Sequence, residues 1–155
     1  MTMEKKIKIG LIVLTSIIVF SVLYISTQRI FQKIPPISDI ECINYRGIII
    51  GEEGYPKPEI TIYKNDSIFE ELYILLVNSI ENEPIENGFQ LMGLAWVSVN
   101  TTSGKNLGYG FSGWRTKDGK ITVSEVEGPM GLKHSNDNFV KFIEIISKRR
   151  TETNR

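Results

Sequence analysis

The seventeen residues from Ile9 to Ile25, IGLIVLTSIIVFSVLYI, contain no charge, proline, asparagine or glutamine. A run of that kind has no comfortable place in a small soluble domain. As a helix it covers roughly 25 Å at about 1.5 Å per residue, and the uncharged Ser26, Thr27 and Gln28 extend it to about the 30 Å thickness of a bilayer's hydrocarbon core. Lys8 and Arg29 bracket the run and are long enough to snorkel to the two interfaces. The sequence therefore predicts a transmembrane helix over residues 9–28, behind a basic cytoplasmic tail, residues 1–8.

A cleaved signal peptide is the competing account of the same stretch. The apolar run is longer than the usual 7 to 15 residues, and no small-x-small cleavage pattern follows it, since Tyr24 stands two positions before Ser26 and Ile25 two before Thr27. The expectation is an uncleaved signal-anchor. Lys5, Lys6 and Lys8 on one side outweigh Arg29 and Lys33 on the other, so the positive-inside tendency keeps the N-terminus in the cytoplasm and sends the C-terminal domain outside. The expected partners are then the membrane itself, crossed once, and an envelope protein or cell-surface component.

Pro35 and Pro36 make residues 29–37 a short stiff linker, leaving one domain over residues 38–150 and a fraying tail over 151–155. The net charge is zero. Residues 38–100 hold eleven acids against three bases, and residues 101–155 hold ten bases against six acids. A domain of that balance is not a general nucleic-acid binder. Cys42 is the only cysteine, which excludes an intramolecular disulfide, and it reads as a small buried hydrophobe.

Within the domain, residues 40–50 and 59–64 have the β-branched and alternating character of two strands around a turn-rich loop. Ser67 and Glu70 have the spacing of a capping box, ahead of a helix whose apolar face includes Phe69, Leu72, Leu76 and Ile80. Glu81 to Gly88 reads as an acidic loop. Residues 89–99, 107–115 and 121–127 read as three antiparallel strands, the last two joined at the Lys117-Asp118-Gly119-Lys120 hairpin signal. Ser135 to Asp137 offer caps for a final helix that buries Phe139, Phe142, Ile143 and Ile146. The expected fold is α+β, of order ββαβββα, with a five-stranded, mostly antiparallel sheet and two helices on one face.

Gly108-Tyr109-Gly110-Phe111-Ser112-Gly113 matches G-x-G-x-x-G, but the match lies in a strand pattern ahead of a hairpin, without the strand-turn-helix context that cradles a dinucleotide. Its glycines are better read as room for aromatic neighbours or as bulges. Trp96, Tyr109, Phe111 and Trp114 would line a shallow groove for a ligand or partner if one face of that strand is open; packing in the core is the competing reading. No metal-ligand spacing, nucleophile elbow or cofactor motif accompanies them, so no catalytic residue, metal or cofactor is expected.

The chain's layout is similar to that of many small membrane-anchored bacterial proteins, a resemblance that carries no residues across. The leading expectation is a single-pass protein whose outer domain binds a partner without catalysis. A small tethered hydrolase using Glu125 or Glu127 with His134 is one alternative. A regulatory or immunity-type protein acting partly through its membrane helix is another.

Overall fold

The computed structural model describes residues 13–20, 34–51, 59–86 and 91–153. They belong to two compact units, Met1–Lys33 and Ile34–Arg155.

In the first unit the described residues 13–20 are helical (α1), and all eight are exposed. Among the described residues no helix is long and apolar enough to cross a membrane. This corrects the expected transmembrane helix over 9–28, and with it the single-pass topology, the outside location of the domain and the membrane as an integral partner. The apolar run exists in the sequence, but only its middle is a described helix. Residues 9–12 and 21–28 of the expected span lie outside the described residues.

The second unit is built on one antiparallel sheet. Its strands are β1 (Ile40–Gly47), β2 (Glu59–Tyr63), β3 (Ile80–Pro84), β4 (Met92–Thr101), β5 (Asn106–Arg115), β6 (Ile121–Gly128) and β7 (Gly131–Ser135), with helix α2 (Phe69–Ser79) between β2 and β3 and helix α3 (Asn138–Thr153) after β7. The order across the sheet is β2-β1-β4-β5-β6-β7-β3. Seven strands replace the five expected, while the α+β character stands. The two unexpected strands are β3 and β7, which pair with each other at one edge through Ile80 with Ser135 and Pro84 with Lys133. β3 is IENEP, acidic and closed by proline; an edge strand tolerates both, because its outer side needs no ladder partner. β7 follows β6 so closely that Gly128 and Gly131 pair directly across the Pro129-Met130 turn, with Gly131 at φ 75°.

Two hairpins at the ends of β5 share one solution. In each, a threonine N–H donates to a lysine carbonyl four residues on, and a glycine N–H donates back to the threonine carbonyl: Thr101, Gly104 and Lys105 in one, Thr116, Gly119 and Lys120 in the other, all at 2.9 Å. Gly104 and Gly119 take φ of 79° and 87°, which glycine adopts without steric cost. In the second turn the Thr116 hydroxyl donates to Asp118 Oδ1, and this bond is the main reason the Asp118 carboxyl lies below its usual range.

Helices α2 and α3 pack together, and their apolar residues join the inward side chains of the sheet in one core. Phe111 of β5 stacks on Phe139 of α3, with ring centroids 3.5 Å apart, and Phe139 stacks in turn on Phe142 at 5.3 Å. Tyr45 of β1 leans on Phe142 and donates its hydroxyl to the Ile48 carbonyl. The start of α2 differs from the expected capping box. Asp66 Oδ1, not Ser67, accepts from the backbone N–H of Ile68, and Asp66 also meets the Arg149 guanidinium of α3 at 3.3 Å. At α3 the cap is Asn136, whose side-chain oxygen accepts from the Asn138 N–H while its amide donates to the Asn78 carbonyl at the end of α2.

Candidate binding face

The strand alternation that sends Ile43, Tyr45, Val97, Val99, Tyr109, Phe111 and Val126 toward the helices sends their neighbours to the opposite face. Registers define that outer face. One cross-strand row runs Glu59, Arg46, Trp96, Gly110, Glu127, Leu132 over β2, β1, β4, β5, β6 and β7. Beside it, Asn44, Ser98 and Gly108 make a second row, and Tyr63, Cys42, Asn100 and Asn106 a third.

Trp96 organises this face. Its indole is half exposed, at 51%, yet it lies down on the sheet: a Cβ built on Gly108 would sit 2.3 Å from its Cζ2, and one built on Gly110 would sit 3.3 Å from both its Cε3 and Cζ3. Two glycines in succession on the outer side of β5 leave a flat bed, and the six-membered ring spans both. The indole N–H donates to Ser98 Oγ at 3.1 Å, which fixes the direction of the ring. The third glycine of the motif has a different task. A Cβ on Gly113 would lie 2.0 Å from the Thr122 carbonyl oxygen, at the register shift between Ser112 and Gly113 in the pairing of β5 with β6. The G-x-G-x-x-G letters therefore sit inside a strand that leads into another strand, with no helix start behind them.

A chain of hydrogen bonds lies next to the indole. Asn106 Nδ2 donates to Asn100 Oδ1 at 2.7 Å, and Asn100 Nδ2 donates to Cys42 Sγ at 3.3 Å. Cys42 is buried although it points to the outer face, because these amides close over it.

The four aromatic residues singled out in the sequence are divided by the fold. Trp96 and Trp114 are exposed, at 51% and 46%, and belong to the outer face, whereas Tyr109 and Phe111 have no exposed surface and lie in the core beneath the helices. The period of two explains the division: 109 and 111 have inward parity, 96 and 114 outward. Among the described residues the Tyr109 hydroxyl has no hydrogen-bond partner, and burial pushes its pKa up to about 12. Residues absent from the sequence grouping are Arg46, Ser98, Glu127 and Tyr63. Arg46 and Ser98 share the outward parity of Trp96 on β1 and β4, whereas Tyr63 and Glu127 reach this face through the pairing of β2 with β1 and of β6 with β5.

The residues of the hydrolase alternative are partly brought together. Glu125 pairs with His134 across β6 and β7, and Ser112 pairs with Glu125 across β5 and β6. The order of that row is hydroxyl, carboxylate, imidazole. A relay needs the imidazole in the middle, whereas here it stands two strands, about 10 Å, from the hydroxyl. Glu127 has Gly110 and Leu132 beside it and no nucleophile. Among the described residues no group of three or more His, Cys, Asp or Glu side chains is placed to hold a metal ion.

No family model matches the chain, and neither a curated protein nor a solved structure does.

Proposed function

We propose that Ile34–Arg155 is an interaction domain that binds a partner without catalysis, through the outer face of its sheet. One observation carries this reading: Trp96, the largest type of side chain, is held flat and half exposed on a bed of two glycines rather than buried. Trp and Arg are the residues that dominate protein interfaces, and a ring already fixed in place loses little conformational entropy on binding. Arg46 beside it and the neutral amides and hydroxyls around it supply the mixed polar surround that such a centre uses to exclude water.

Photo-cross-linking in the native host tests the reading. A benzoylphenylalanine at Ser98 is expected to give a discrete protein adduct, and one at Ile74 on the exposed side of α2 is expected to give none. Adducts from Ile74 and none from Ser98 would move the binding surface to the helices and overturn the proposal.

A further inference from the structure

The row through Trp96 carries three charged residues, Glu59 beside Arg46 on the β2–β1 side and Glu127 on the β6 side. Arg46 stands on β1 and Glu127 on β6, one strand outside the central β4–β5 pair on either side, and both are exposed. They are three strand spacings, about 14 Å, apart, too far to pair within one chain. Among the described residues neither makes an ion pair.

We propose that the outer face is the interface of a two-fold dimer, so that the partner of the binding face proposed above is a second copy of this chain. A two-fold axis running along the strands between β4 and β5 lays β1 over the β6 of the other copy and β4 over its β5. Arg46 then meets Glu127 of the second copy, and the reciprocal contact forms by symmetry. Trp96, whose ring already reaches over β5, meets its own equivalent on the axis.

The spacing closes as well. An indole resting on glycine backbone stands about 3.5 Å above its sheet, and two stacked rings are about 3.5 Å apart, which puts the two sheets about 10 Å apart, the separation at which sheets pack face to face. A side chain at 108 or 110 would lift the indole and break that sum, which gives the two glycines a reason beyond their own chain. The arrangement is isologous: the same patch serves both copies, and the pair closes without leaving a free copy of the face.

Sedimentation equilibrium of the full chain tests the dimer by charge exchange. The unaltered chain is expected at twice the mass of one chain. Arg46→Glu and Glu127→Arg each place like charges across the axis twice, and each variant alone is expected to be a monomer, with dissociation constants raised about 100-fold or more. Mixed in equal amounts, the two variants restore both opposite-charge contacts and are expected to form a heterodimer. That mixture also shows that both variants are folded, including Arg46→Glu, which faces Glu59 on β2. An unaltered chain that stays monomeric, single variants that remain dimeric, or a mixture that stays monomeric would each overturn the proposal. A Ser98 cross-link to a different protein would overturn the dimer while leaving the interaction face in place.

Discussion

The indole of Trp96 occupies the space in which a side chain at position 108 would have to stand, with only 2.3 Å between its Cζ2 and a Cβ added to Gly108. The two residues are therefore fixed together: one can be a flat, exposed tryptophan only while the other is glycine.

Alanine at Gly108 and at Gly113 is expected to separate site from scaffold. At Gly113 the obstacle is the Thr122 backbone, 2.0 Å away, and Gly113→Ala should cost about 3 kcal/mol or more in denaturant unfolding. At Gly108 the obstacle is the far end of an exposed side chain that can swing aside, so Gly108→Ala should cost about 1 kcal/mol or less while moving the Trp96 emission. Equal costs at 108 and 113 would mean that the indole is not the neighbour of Gly108.

The aromatic residues divide in the same way. Phe111→Ala and Phe139→Ala each remove half of a buried stack and should cost about 3–5 kcal/mol. Trp96→Ala and Trp114→Ala remove half-exposed rings and should cost about 1 kcal/mol or less, read from the same unfolding curves.

The two buried tyrosines carry opposite expectations. Tyr45→Phe loses the bond to the Ile48 carbonyl and should destabilise by about 1–2 kcal/mol, whereas Tyr109→Phe removes a buried hydroxyl that has no partner among the described residues and should be neutral or stabilising by about 1 kcal/mol. The folded pKa of Tyr109 is raised, so its protonated form is the one folding favours; that stability is complete below pH 10 and is lost as pH climbs from 10 to about 12. In Tyr109→Phe, melting temperature measured across this range should fall less steeply than in the unaltered chain.

Asn136 joins the end of α2 to the start of α3, capping one helix with its side-chain oxygen and holding the Asn78 carbonyl with its amide. Asn136→Ala should cost about 1–2 kcal/mol, and Asn136→Asp should recover little of it, because the aspartate keeps the cap but turns a carboxylate oxygen toward the Asn78 carbonyl and the Glu81 carboxylate that the amide now meets at 3.3 Å. Hydrogen exchange at the first turn of α3 would locate the loss.

Much of this architecture was legible in the chain. Alternation at Glu59–Tyr63 and the helical stripes through Leu72 and Phe142 specify their elements directly, since period two and period 3.6 are distinct even in short windows. The missing edge was not legible. Ile80–Pro84 has four exposed residues, one of them a proline, so nothing in its pattern speaks for a strand; it exists because β7 offers it a ladder. The binding face was half legible, because parity sorts Tyr109 and Phe111 from Trp114 only once it is known which side the helices cover. Arg46 and Glu127 lie eighty-one positions apart in sequence and share a row only through the registers of three strand pairs. The apolar run around α1 misled in the other direction, since it was read from composition alone, and among the described residues no helix is long and apolar enough to cross a membrane.

Fluorescence of a chain carrying Trp114→Phe tests the working role of the outer face most directly, because Trp96 is then the only tryptophan. Iodide quenching and emission wavelength would be followed from about 10 nM to about 100 µM chain, a range that brackets weak and tight self-association, and again in host extract. The expected result is an indole that is red-emitting and open to iodide when dilute, and blue-shifted and shielded once the chain associates. An indole equally open to iodide at every concentration and in extract would contradict the assignment of Trp96 to a binding surface.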